Sequence, residues 1–274
     1  MRQWLQIMEK ALTFGELRTD RTGVGTFALF GEQLVFDLQH GFPAVTTKQL
    51  AFKQVAAELS CFVRGKQNLA DFHEVGCSIW DANAGAAYWK PSKPGDVGRI
   101  YGVQWRDWKS YLKGGYKRTD QLKTLLQDLQ QNPYSRRHLV TAWNPGELDQ
   151  MCLPPCHVMF QAYVSNDKHL DLRVDMRSVD LFLGLPFDAA SYALLQHLIA
   201  KDVGLTPRKL VFQLGDAHVY LNHQDAVRTV LDREPLTLPY LQLSPEASTL
   251  DFLPGQACLG DYRHLGKVSA EMAV

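Results

Sequence analysis

No stretch of the 274-residue chain approaches the roughly 20 consecutive apolar residues that a membrane-crossing helix needs. The opening Met1-Arg2-Gln3-Trp4 lacks a continuous apolar run, so no signal peptide is read and a cytoplasmic location is expected. An excess of charge of either sign is missing too. The chain has 29 Lys and Arg against 29 Asp and Glu, which argues against bulk neutralisation of duplex phosphates but not against a small anion held by a few arginines. Cysteine is scarce and odd in number: Cys61, Cys77, Cys152, Cys156 and Cys258, with no CxxC pair. That excludes a disulfide framework or structural zinc site and points to a reducing compartment. GxxxxGK[ST], GxSxG and HExxH are all absent, His218 and His223 stand five apart without an acidic ligand pattern, and no metal is expected. Gly23-Val-Gly25-Thr-Phe-Ala28 fits GxGxxA. Arg18-Thr-Asp-Arg21 precedes it where a strand should stand, and strand-like sequence follows, so a dinucleotide fold is not read.

Repeats, low-complexity tracts and long linkers are also absent, which leaves one domain spanning 1–274. Helical spacing runs over 3–14, 52–63 and 120–131, and a helix over 189–203, apolar nearly all round, should be central and buried. Gly25–Leu38 reads as two strands turning at Gly31-Glu32. Strands are expected at His138–Trp143, His157–Val164, Leu170–Met176 and Val211–Leu214, with a helix near Asn222–Leu231 and a loop over 83–98. The order implies an α+β fold (α/β three-layer), a mixed sheet with surrounding helices.

Chemistry concentrates around Leu153-Pro-Pro-Cys156-His157. Two prolines fix the approach to a thiol at the start of a strand, where access is possible. A nucleophilic cysteine needs positive surroundings. Arg21, the pair Arg136-Arg137 and Arg177 supply them, and Arg177-Ser178 has the makings of a phosphate clamp.

Several stretches occur together in a fixed order: Thr19-Asp-Arg-Thr-Gly23, Trp80-Asp81, Tyr101-Gly102, Ser135-Arg-Arg137, Trp143-Asn144, Pro155-Cys-His157, Arg177-Ser178 with Asp180, Phe182-Leu-Gly-Leu-Pro-Phe187, Ala190-Ser-Tyr-Ala193, and Gly215-Asp216 with His218 and Tyr220. In this the chain resembles the thymidylate synthase family along nearly its whole length. The resemblance implies a homodimer, formed through the sheet, that binds a pyrimidine nucleoside monophosphate beside 5,10-methylenetetrahydrofolate. It implies that Cys156 adds to C6 of the base, and that Glu58 and Tyr101 serve the proton transfers. Arg21, Arg177 and Ser178 would hold the phosphate, with Arg136 and Arg137 reaching in from the other subunit, and His218 and Tyr220 would hold the sugar. Asp180 and Gly184 would meet the pterin, Ile79, Trp80, Leu183 and Phe187 would wall the folate, and the carboxyl terminus at Val274 would close over the site. Members of this family can bind their own RNA, but zero net charge and the lack of a basic aromatic platform argue against that as a main role.

One residue departs from the pattern in a readable way. Where the family usually has Asn to read the N3–O4 edge of uracil, this chain has Asp188. A carboxylate accepts from the N4 amino group of cytosine but meets O4 of uracil with repulsion. A carboxyl group near N3 can also share a proton with the anion formed as Cys156 adds. This resembles the deoxycytidylate-specific branch of the family. The expected reaction is therefore C5-methylation of dCMP to 5-methyl-dCMP, with dihydrofolate as second product. A dCMP hydroxymethylase and a plain thymidylate synthase acting on dUMP are the alternatives. Free 5-methyl-dCMP implies modified DNA, as in some bacteriophages, and then the host cytoplasm. Asn83 for a common Trp and Met176 for a common Gln point to a reshaped pocket.

Overall fold

The computed structural model describes residues 1–19 and 22–272. The helices are α1 (Arg2–Phe14), α2 (Phe52–Val63), α3 (Leu69–Glu74), α4 (Asp81–Ala84), α5 (Tyr101–Arg106), α6 (Gln121–Gln131), α7 (Gly184–Val203) and α8 (Gln224–Leu231). The strands are β1 (Glu16–Arg18), β2 (Thr26–Asp37), β3 (Trp108–Leu112), β4 (Gly115–Thr119), β5 (Leu139–Thr141), β6 (His157–Val164), β7 (His169–Asp180), β8 (Thr206–Tyr220), β9 (Tyr240–Leu243) and β10 (Ala257–Gly260). Among the described residues no helix is long and apolar enough to cross a membrane.

Six strands form a mixed sheet in the order β1-β2-β8-β7-β6-β5. Only β7 and β8 run parallel, and α7 is the crossover that parallel pairing requires. Adjacent rows of this sheet have opposite fates. Val140, Phe160, Val174, Phe212 and Leu34 lie side by side across five strands, and all are buried beneath the helices. In the next row Leu139, Gln161, Arg173, Val211 and Val35 face the other way, and none is buried. Period-two alternation thus produces one dry face and one open face. α1 and α7 lie on the sheet and α2 packs on α7, which gives the three layers. α7 is buried nearly all round, as its apolar composition requires.

The structure corrects several expected boundaries. The stretch 25–38 holds one strand, Thr26–Asp37, not two. Phe30 pairs with Asp216 and Glu32 with Leu214, so the ladder runs straight through Gly31, whose φ of +82° bends the strand without reversing it. Val211–Leu214 is the middle of a 15-residue strand. α7 begins at Gly184, and Pro186 is tolerated in its first turn because no intrahelical acceptor is lost there. The hairpin β3–β4 was not expected. It gathers Lys109 and Arg118 around the ring of Tyr116, a basic aromatic patch formed by cross-strand pairing.

Candidate active site

A cleft of about 890 Å³ opens at the carboxyl ends of the parallel strands β7 and β8, where α/β sheets place their ligands. It brings together Glu58, Ile79, Trp80, Tyr101, Cys156, Arg177, Ser178, Asp180, Leu183, Gly184, Phe187, Asp188, His218 and Tyr220. These residues come from α2, α5, β7, α7, β8 and the turns between elements, so their meeting is a product of topology. Arg136 and Arg137 do not join them. Both are exposed just before the edge strand β5. Arg21 and Val274 lie outside the described residues. Asn83 lines the cleft, whereas Met176 is buried in β7 opposite His157 and does not, so the expectation that Met176 reshapes the pocket wall is withdrawn.

Cys156 stands apart from the other thiols. Burial pushes Cys61 up to about 11, and Cys77 and Cys152 up to about 12, which keeps them protonated and inert. Cys156 is half-buried on the cleft wall. Its backbone N–H donates to the Tyr101 hydroxyl at 2.8 Å. The two prolines before it are held by Arg177, whose Nε donates to the Pro155 carbonyl at 2.8 Å and Nη2 to the Pro154 carbonyl at 2.9 Å. Arg177 thus braces the cysteine turn as well as lining the cleft. A register shift in β6 between His157 and Met159 re-aims the residue after the thiol, a use of bulges beside reactive groups.

The wall opposite carries two carboxyl groups. Glu58 sits on α2 and accepts from the Trp80 indole at 2.9 Å. Burial, then the nearby Asp188, push its carboxyl up to about 8 from an ordinary 4.5. Asp188 lies in the second turn of α7. Burial, then Asp180, push it up to about 7 from an ordinary 3.8. His157 is held neutral, its pKa pushed by burial down to about 3. Its ring stacks on Tyr101 with centroids 4.0 Å apart. Tyr101 is seated because α5 presses on α2 at Gly102, where any Cβ would collide with the Phe62 backbone.

At the far end β8 supplies His218, whose Nδ1–H donates to the Asp216 carboxylate at 2.9 Å, leaving Nε2 as an acceptor. The same carboxylate takes Arg18 Nη1 at 2.7 Å, and Arg18 lines the cleft. Asp180, beside His218 in the sheet register, caps the turn into α7 by accepting from the Phe182 and Leu183 amides at 2.8 and 3.2 Å. His223 stands 3.8 Å from its other oxygen and donates Nε2–H to the Glu271 carbonyl at 2.7 Å, so the C-terminal segment is tied to the rim.

Sequence reasoning missed Arg18, Tyr88, His157 and Met272 as cleft residues and Asp216 as the partner of His218. His157 and Asp216 were within reach, because each adjoins a quoted motif residue. Tyr88 comes from the Gly/Pro-rich loop after α4 and is fixed by its hydroxyl on the Cys152 carbonyl at 3.0 Å, a contact with no local signal.

The thymidylate synthase family model matches residues 2–274. A protein of Escherichia phage T5 described as "Probable thymidylate synthase" is 46% identical over 261 residues, covering 92% of this chain and 91% of the relative.

Proposed function

Since the chain belongs to the thymidylate synthase family, pyrimidine nucleotide methyltransferases that use 5,10-methylenetetrahydrofolate, we propose that its substrate is deoxycytidine 5′-monophosphate and its product 5-methyl-dCMP. The observation that carries the base assignment is Asp188: a carboxyl group, not an amide, stands in the cleft, and with its pKa pushed up to about 7 by burial it is about half protonated near neutral pH. Cytosine presents an N4 donor and an N3 acceptor, which a neutral carboxyl matches with one acceptor oxygen and one O–H.

In the proposed reaction the Cys156 thiolate forms a bond to C6. The C5–C6 electron pair moves toward N3, and the Asp188 proton is placed to be shared there. C5 becomes nucleophilic, which divides one hard step into two. Glu58, protonated at neutral pH and fixed by Trp80, and Tyr101, whose hydroxyl meets the Cys156 amide, are the groups that hold and move protons at the base. Arg177 and Ser178, with Arg21, take the phosphate. His218, with Nε2 free to accept, and Tyr220 take a sugar hydroxyl.

The cosubstrate supplies the one-carbon unit and the reducing hydride. The apolar wall of Ile79, Trp80, Leu183 and Phe187 fits a flat aromatic ring system, and Asp180 and Gly184 offer a polar edge to it. The assembly is proposed to be a homodimer through the open face of the sheet. Arg136 and Arg137 would enter the neighbour's cleft. The exposed Leu139 and Val35 at the two ends of that row and the 62% exposed Tyr163 support this by leaving apolar side chains without a cover in one chain.

The name of the phage T5 relative favours dUMP instead. Asp188→Asn separates the readings. The wild type is expected to have the higher kcat/KM on dCMP and the variant on dUMP, with a swing of up to about 10⁴-fold. A wild type that prefers dUMP by a wide margin overturns the dCMP reading.

A further inference from the structure

Asp188 and Tyr192 stand one turn apart on α7, at positions i and i+4 of the same face, and His157 from β6 reaches between them. The Tyr192 hydroxyl lies 2.7 Å from His157 Nδ1, and His157 Nε2 lies 4.0 Å from Asp188 Oδ1. Tyr192 is 3% exposed. Among the described residues its hydroxyl has no other hydrogen-bond partner than Nδ1. The direction of that bond follows. If Nδ1 carried the hydrogen, the phenol O–H would be left buried without an acceptor, at a cost of about 1–3 kcal/mol. The phenol therefore donates, Nδ1 accepts, and the single hydrogen of the neutral imidazole sits on Nε2, the ring nitrogen 4.0 Å from Asp188 Oδ1.

That hydrogen matters because a neutral carboxyl is ambiguous. With its proton on one oxygen it complements the N3–N4 edge of cytosine. With the proton on the other it complements the O4–N3 edge of uracil. The ionised form only accepts and so disfavours O4 of uracil, but the protonated form can pair either way, and a third group must set its proton's place for the preference for cytosine to be sharp. Glu58, Asp180, Tyr101, Cys156 and His157 surround Asp188. Of these, His157 is the one whose tautomer is set by a third residue, and its Nε2 lies 4.0 Å from Oδ1, longer than a hydrogen bond but close enough for its N–H dipole to bias that oxygen.

We propose that Tyr192 is a selectivity-determining positioning residue: its hydroxyl fixes the His157 tautomer, and the Nε2–H of His157 marks Oδ1 of Asp188 as the acceptor oxygen and leaves the proton to Oδ2. This rests on Asp188 meeting the base edge, as in the reading above. The relay moves no proton and touches no substrate through Tyr192. It acts by removing one of two ways in which Asp188 can pair.

The test is equilibrium binding of dCMP and dUMP to the full-length protein without folate, for wild type, Tyr192→Phe, His157→Gln and the double variant. Phenylalanine keeps the ring that packs on Trp105, Phe160 and Phe212, so the core is retained. Tyr192→Phe is expected to compress the dCMP/dUMP affinity ratio toward unity by about tenfold, the size of one hydrogen bond. The glutamine amide donates without needing Tyr192, so Tyr192→Phe should change nothing further in the His157→Gln background. Equal weakening of both nucleotides, or the same compression in both backgrounds, overturns the relay. Should Tyr192→Phe fail to fold, His157→Leu must compress the ratio in its place, and an unchanged ratio there overturns it as well. The two readings fail separately. A wild type that prefers dUMP ends the dCMP assignment, yet compression by Tyr192→Phe would still uphold the relay. A wild type that prefers dCMP with an unmoved ratio ends the relay alone.

Discussion

The Tyr101 hydroxyl accepts the backbone N–H of Cys156 at 2.8 Å, so the phenol and the thiol are locked to one another through main chain. The bond fixes where the sulfur starts from and leaves the phenol O–H directed elsewhere in the cleft. Burial, then the neighbouring Cys156, raise the Tyr101 pKa well above its ordinary value, which keeps the phenol protonated at neutral pH.

Cys156→Ser should reduce turnover to background while nucleotide still binds. A serine hydroxyl has no adjacent base among the groups described here that would make it a comparable nucleophile. Steady-state turnover and calorimetric binding of nucleotide check the two halves, and near-wild-type turnover would remove the covalent step.

The two raised carboxyl groups have a stability signature. For Glu58 and Asp188 the folded state holds its proton more tightly than the unfolded chain, so their contribution is full below about 4 and is lost as pH rises through about 7 and 8. His157 works oppositely, its contribution present above 6.5 and lost as pH falls toward about 3. Glu58→Gln and Asp188→Asn should therefore gain melting temperature relative to wild type between pH 5 and pH 8. Thermal melts across that range measure the difference. Parallel wild-type and variant curves would show that the carboxyls are not held neutral.

The proposed sharing of active sites between two subunits makes a mixing prediction. An Arg137→Ala chain combined with a Cys156→Ser chain should recover part of the activity, because one hybrid site keeps both groups. Arg137 is exposed and away from its own cleft, so its loss should leave monomer stability within about 0.5 kcal/mol. No recovery after confirmed subunit exchange would place Arg137 outside the neighbour's site.

Trp80 does two things that one substitution each can separate. Its ring packs on Phe62, Phe72 and Tyr101, and its N–H holds Glu58. Trp80→Phe should keep the wall but free Glu58, lowering kcat more than it changes nucleotide affinity. Trp80→Ala should open the wall to water and divert part of the product to hydroxymethyl-dCMP, read by mass. A purely methylated product from Trp80→Ala would show that another group excludes water.

Much of the fold is legible because it is periodic. Leu122, Leu125 and Leu129 face the core in the expected helix, and Leu170, Leu172, Val174 and Met176 alternate in the expected strand. Strand ends are less legible. Beyond Leu214, β8 carries Asp216, His218 and Tyr220, polar and aromatic residues that line the cleft, so apolar alternation fades where the strand meets it. The chemical residues are legible as motifs, and their partners are not. Nothing local tells that Trp80 holds Glu58, that Arg177 braces Pro154 and Pro155, or that Tyr192 reads His157, because each pair joins elements that only the sheet topology brings together.

The central claim is that a carboxyl group at position 188 turns a C5-methyltransferase toward cytosine. An equimolar mixture of dCMP and dUMP, incubated with wild-type enzyme and methylenetetrahydrofolate and resolved by mass spectrometry, tests it most directly. The predicted result is 5-methyl-dCMP as the main product with dihydrofolate formed in step. Thymidylate as the main product would contradict it.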